Sequence, residues 1–187
     1  TISGKFGNAL EFDGVNDYVT INTTGAPGNL TPRNAVTVAA WVKHNEDNAN
    51  TAAQRSTIIA VSGLDKGYAI YTEAGDTGGI YVFRLGLDGV NGDVTSQTSK
   101  SKDVWTHVVG TYDGSTQKLY RDGILQGSSS RTGDITYPSE IIISGRGAPP
   151  DTNYVTNGTI DEVAIFNRSL SQREIQNLYK RGILKLN

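Results

Sequence analysis

One turn dipeptide, Asp-Gly, recurs at Asp13-Gly14, Asp88-Gly89, Asp113-Gly114 and Asp122-Gly123, each beside a short run of alternating apolar residues. Such a pair suits a tight antiparallel hairpin, because Gly has no Cβ to clash at positive φ and Asp tolerates the left-handed region. Period-two alternation bounded by these turns points to strands with one face buried against a second layer. The runs are Ala9 to Phe12, Tyr18 to Ile21, Val36 to Lys43, Ser56 to Val61, Tyr68 to Thr72, Ile80 to Leu85, Trp105 to Tyr112, Gln117 to Arg121, Glu140 to Ser144 and Thr159 to Phe166. They predict an all-β fold, a two-sheet antiparallel β-sandwich. No strand alternates with a long helical pattern, which argues against a parallel βαβ sheet.

One short C-terminal helix is expected to cover an edge or end of the sandwich. Ser171 and Glu174 form a capping box, Ile175, Leu178 and Tyr179 share a face, and Gly182 supplies a stop. Composition does not shift along the 187 residues, so residues 1–187 are read as a single domain. A net charge of −2 without a run of Lys and Arg gives no footprint for nucleic acid or an anionic membrane. No apolar run approaches a membrane span. The absence of cysteine excludes disulfides, a thiolate nucleophile and Cys-ligated metals. There is no methionine, even at position 1, and the chain is expected to be a module of a larger secreted or cell-surface protein. Functional loops are expected in the two longest strandless segments, Asn45 to Arg55 and Gly145 to Gly158.

Four segments in order resemble the laminin-G-like, concanavalin A-like jelly-roll modules: Ala9 to Val19 (ALEFDGVNDYV), Val36 to Val42 (VTVAAWV), Trp105 to Gly114 (WTHVVGTYDG) running into Lys118 to Leu125 (KLYRDGIL), and Gly158 to Ile175 (GTIDEVAIFNRSLSQREI). The resemblance implies a two-sheet jelly roll whose members serve as lectins, carbohydrate-binding modules of polysaccharide-degrading enzymes, and adhesion modules. It also implies calcium where the first and last strands meet. The matching residues are Asp13, Asn16 and Asp17 on the first turn and Asp161 on the last strand, hard oxygen donors of the kind calcium takes. Against the metal stands an ordinary Asx turn at Asp13 and an Asp161 that bonds backbone amides.

Glycosidase chemistry needs two carboxylates across one bond, and neither a Glu-x-Asp-x-x-Glu nor a Glu-x-Asp-x-Glu run, the pattern typical of glycosidases on such a sandwich, is present. Asp161 and Glu162 are adjacent, so on a regular strand they point to opposite faces. A polysaccharide lyase would need Tyr71, Tyr81, Arg84 and His107 in one place. His107 beside Trp105, and the two tryptophans themselves, suit structural roles better. Sugar recognition by aromatic faces and planar polar groups is expected from Tyr71, Tyr81, Arg84, Arg146 and Tyr154, with Arg84 on the face opposite Tyr81. The expected function is non-catalytic binding of a carbohydrate or cell-surface glycan with a structural calcium ion; the alternatives are a protein-binding adhesion module and a lyase.

Overall fold

A computed structural model describes residues 1–24, 31–45, 55–61, 66–73, 79–136, 140–147 and 151–184. Its strands are β1 (Ile2–Ser3), β2 (Asn8–Asp13), β3 (Val19–Asn22), β4 (Val36–His44), β5 (Ser56–Val61), β6 (Gly67–Thr72), β7 (Ile80–Leu87), β8 (Val90–Ser99), β9 (Trp105–Tyr112), β10 (Thr116–Arg121), β11 (Ile124–Ser130), β12 (Glu140–Ile143) and β13 (Asn157–Phe166). The helix α1 (Gln172–Leu184) follows. A seven-stranded sheet has the order β1-β2-β13-β4-β9-β10-β11, and a six-stranded sheet the order β3-β12-β5-β6-β7-β8. All pairings between named strands are antiparallel, and the two-sheet sandwich of the sequence reading is what the chain forms.

Alternation sorts the side chains. Val36, Val38, Ala40 and Val42 of β4 meet Tyr81, Phe83 and Leu85 of β7 in the space between the sheets, with Tyr68, Ile70, Val108, Leu119 and Ile141 around them. Gly110 of β9 lies under the Phe83 ring, where an added Cβ would fall 2.3 Å from the nearest ring carbon. The buried Gln117 amide crosses the same gap, donating to the carbonyls of Phe83 at 2.7 Å and Gly92 at 3.1 Å. Two hairpins close on two-residue turns, Leu87 pairing with Val90 and Arg121 with Ile124. Asp88, Gly89, Asp122 and Gly123 all have positive φ there, the type I′ geometry for which Asp-Gly is suited.

The helix packs on the outer face of the seven-stranded sheet. Ile175 and Leu178 join Ala39, Val109, Tyr120 and Leu170 in a second apolar cluster. Thr37 fixes the approach: its hydroxyl donates to the Arg168 carbonyl and accepts from the Leu170 amide, both at 2.8 Å. Glu174 accepts from the Ser171 amide and hydroxyl at 2.8 Å, so the capping box forms. The expected stop at Gly182 is corrected, since the helix runs on to Leu184. A glycine near a helix end costs about 1 kcal/mol relative to alanine and does not by itself end it.

Both histidines are buried in this frame. His44 ends β4 with 0% exposure, and burial, helped by nearby Lys100, pushes its imidazole down to about 3. His107 lies outward on β9 beneath the helix, 5.0 Å from the Trp41 ring and 6.2 Å from that of Tyr179, and burial pushes it down to about 4. The unfolded chain therefore binds protons at these sites before the folded chain does. Their contribution is complete above the unfolded value of about 6.5 and is lost as pH falls toward the folded values. Urea midpoints are expected to fall between pH 6.5 and 4, by a few kcal/mol of stability, and His44→Gln is expected to flatten that fall. Gly110→Ala is expected to destabilise by about 1–3 kcal/mol through overpacking against Phe83, read as a lowered midpoint at unchanged m-value.

Candidate functional site

Alternation on the six-stranded sheet that buries Ile70 and Phe83 turns their chain neighbours Tyr71 and Arg84 to the outer face. Arg84 makes a two-pronged ion pair with Asp93 on β8, Nε to Oδ1 at 2.8 Å and an Nη to Oδ2 at 2.6 Å. The Tyr71 hydroxyl donates to the same carboxylate at 3.3 Å. Arg55, just ahead of β5, pairs with Glu73, just after β6, at 2.5 Å. The two guanidiniums lie 5.6 Å and 5.3 Å from the centre of the Tyr71 ring, so the ring is flanked by cations and only 5% exposed. Burial pushes the Tyr71 hydroxyl well above the usual phenol range, with the Asp93 charge adding to it. The hydrogen bonds that Arg84 donates to Asp93 hold its guanidinium firmly protonated.

The segment between β12 and β13 brings a third guanidinium to this face. Buried hydroxyls anchor it at both ends. Ser144 Oγ accepts from the Thr156 amide at 3.0 Å and donates to the Asp17 carbonyl at 2.9 Å. Thr156 Oγ1 accepts from Ser56 at 3.1 Å and donates to the Thr57 carbonyl at 2.8 Å. Between these anchors the Asp151 amide donates to the Arg146 carbonyl at 2.7 Å, and the Asp151 carboxylate caps the single turn Thr152–Tyr154. The Arg146 guanidinium lies 3.2 Å above the Tyr154 ring, a cation–π contact. Burial pushes Arg146 below its usual range, with Tyr154 opposing and Arg55 adding to the shift. Ala60 and Ala69, Arg55, Lys66, Tyr71, Arg84 and Arg146 line a slot of about 30 Å³.

Four of the five residues expected to meet a ligand thus share one face: Tyr71, Arg84, Arg146 and Tyr154. Tyr81 is the exception and a correction. It has 0% exposure and packs between the sheets, because it shares the inward parity of Phe83. The lyase grouping comes apart for the same reason, with Tyr71 and Arg84 outside one sheet, Tyr81 in the core and His107 outside the other sheet. Arg55, Lys66, Ser144 and Thr156 were missed by the sequence reading. Arg55 carried a signal in hindsight, standing directly before a strand whose neighbour ends at Glu73; the two buried hydroxyls carried none. Of the expected functional loop from Asn45 to Arg55, positions 46–54 lie outside the described residues, as do 148–150 of the other.

The four oxygen donors expected to hold calcium are not brought together. The first and last long strands do pair, but Asp13 stands opposite Asn157, which puts Asp161 four residues along, about 13 Å away at ~3.3 Å per residue. A calcium ion holds its ligands at about 2.3–2.6 Å, so no one ion spans that gap. Asp161 is instead engaged with backbone: Oδ2 accepts from the Phe6 amide at 2.9 Å and Oδ1 from the Glu162 amide at 2.8 Å. The strand is not regular there, for β13 bulges between Asp161 and Ala164 and Glu162 has a φ of 48°. Asp13 accepts from the Val15 and Asn16 amides and Asp17 from the Asp13 amide, the pattern of an Asx turn. Among the described residues no three His, Asp or Glu side chains converge as a metal-binding group.

Residues 13–176 match the family model described as the concanavalin A-like lectin/glucanases superfamily. Comparison with the curated proteins finds no match. Among solved structures the fold is similar to domain 4 of an extracellular arabinanase from Geobacillus stearothermophilus, in complex with arabinotriose, at 19% identity and a TM-score of 0.71 over 95% of this chain and 79% of that one. It is similar to the receptor-binding domain of botulinum neurotoxin mosaic serotype C/D, at 19% identity and a TM-score of 0.75 over 98% of this chain. It is similar too to the binding domain of botulinum neurotoxin DC in complex with SialylT, at 15% identity and a TM-score of 0.64 over 88% of this chain. The chain spans 44% and 39% of those two toxin chains. At these identities the likeness is one of fold.

Asp161→Ala is expected to cost about 2–3 kcal/mol, the loss of two amide bonds to a charged acceptor. The loss is expected to be equal in calcium and in chelator, as read by thermal unfolding; a loss confined to calcium would make Asp161 a metal ligand.

Proposed function

This chain belongs to the concanavalin A-like lectin/glucanases superfamily, and from that premise we propose that it is a non-catalytic carbohydrate-binding domain whose binding surface is the outer face of the six-stranded sheet. The observation that carries the reading is the convergence of Arg84 and Arg146, with Arg55, around Tyr71 and Tyr154. Planar guanidiniums present forked donors to ligand oxygens, and their hold on Asp93 and Glu73 fixes their aim. The arabinanase domain that shares the fold is bound to arabinotriose, which supports a sugar as the class of ligand.

Binding without catalysis suits the side chains present. Glu73 and Asp93 are each hydrogen-bonded to a guanidinium, and among the described residues no histidine lies on this face. A protein partner is the weaker reading: the exposed large apolar side chains Leu10, Val15, Tyr18, Val90, Val104, Ile124 and Leu125 come from separate stretches of the chain, and none of them lines the slot. Calcium is not needed for the surface proposed. Glycans of this kind lie outside cells, which fits a module of a secreted or surface protein; no helix among the described residues is long and apolar enough to cross a membrane.

Retention on a panel of immobilised polysaccharides tests the proposal. Wild-type protein is expected to be retained on at least one of them. Tyr154→Ala is expected to lower that affinity about tenfold by releasing Arg146, while Lys118→Ala, on the outer face of the other sheet, leaves it unchanged. Failure of the wild type on every polysaccharide, in calcium and in chelator, would end the reading.

A further inference from the structure

Resting on the carbohydrate-binding reading, we infer that the ligand is an acidic glycan, and that the carboxylate of a uronic or sialic acid residue enters the slot beside Tyr71 to meet Arg146. Three observations lead there. The first is the state of the aromatic rings. Tyr71 is 5% exposed between two guanidiniums, and Tyr154 has Arg146 on its face at 3.2 Å. A neutral pyranose is usually held by stacking on an open ring; Tyr71 offers none, and Arg146 already occupies a face of Tyr154. What the face presents to a ligand is cationic.

The second is the charge count. The slot is lined by Arg55, Lys66, Arg84 and Arg146. Glu73 is engaged with Arg55 and Asp93 with Arg84. The third acid nearby, Asp151, accepts from the amide and side chain of Asn153. Among the described residues neither Arg146 nor Lys66 forms an ion pair. Arg146 therefore stands part-buried near two like charges, with Asp151 acting on it from a distance and no ion pair formed, a position that an incoming carboxylate would relieve.

The third is size. A slot of about 30 Å³ exceeds the roughly 10–15 Å³ that one water needs, which is room for a small polar group. A planar carboxylate fits it and matches the fork of a guanidinium. The ring that bears the carboxylate then stays outside the slot, across its rim.

The test uses carboxylated polysaccharides, polygalacturonate, alginate, hyaluronan and a polysialic acid, each beside its own carboxyl-reduced form, with neutral arabinan and xylan as further arms. Binding is followed by affinity electrophoresis and calorimetry. At least one acidic polymer is expected to bind about tenfold or more tightly than its reduced form, with an affinity that falls as salt rises. Arg146→Gln is expected to remove that preference without moving the melting temperature, and Arg146→Lys to restore part of it. Equal affinity for an acidic polymer and its reduced form, or binding to neutral polymers only, would overturn the acidic ligand and leave carbohydrate binding standing. Dextran sulfate binding as tightly as the best carboxylated polymer would overturn the carboxylate in favour of undirected charge. No binding to any polymer would overturn both readings together.

Discussion

The contact between Phe83 and Gly110 sets how the two sheets of this protein meet. A side chain at 110 would occupy the space of the ring, so the ring fills the gap that the missing Cβ leaves, and Gln117 bridges the sheets beside it with hydrogen bonds to the Phe83 and Gly92 carbonyls. Once Phe83 is committed to the interior, strand geometry turns Arg84 outward, and the pairing of β7 with β6 does the same for Tyr71 relative to Ile70. A slip of one residue would exchange the core for the surface along the whole strand. The outer face of the six-stranded sheet is therefore a consequence of the packing on its inner side.

The remaining half of the site depends on polar contacts rather than apolar ones. Ser144 and Thr156 are both fully buried, and each hydroxyl acts at once as donor and acceptor. Each bond contributes about 0.5–1.5 kcal/mol net, which is small beside the core. Their effect is geometric: they pin both ends of the segment that carries Arg146 and Tyr154 and tie it to the backbone of the Asp13–Asp17 turn. Apolar anchors of similar size would fill the same space without fixing direction.

Strands with a buried face were readable because their alternation is chemical. β4, β7 and β9 matched the expected runs to within two residues at either end, since apolar residues recur at alternate positions along each. β8 and β11 were not readable. Both are edge strands of polar composition, VNGDVTSQTS and ILQGSSS, with few inward positions that need an apolar group. The site divides along the same line. Parity alone put Tyr81 and Arg84 on opposite faces, and the fold bears that out while moving Tyr81 into the core. Proximity had no such rule. The separation of Asp13 from Asp161 depends on the register of β2 against β13, which no local pattern encodes, and the bulge at Glu162 was equally silent.

The convergence of arginines was the least legible feature and bears most on function. Arg55, Arg84 and Arg146 come from three distant stretches of a chain whose net charge is −2, so neither a charge run nor the total hints at a cationic patch. In the folded state they press on one another across a few side chains, and two are compensated by acids while the third rests on an aromatic face. Mutual repulsion and lost hydration both count against such a cluster. Arg146 returns little to the fold in exchange, because it is the backbone carbonyl at that position, and not the guanidinium, that closes the loop with Asp151. A side chain that strains the electrostatics of a surface, and whose contact with the fold is a cation–π contact with Tyr154, suits a role toward a group arriving from outside.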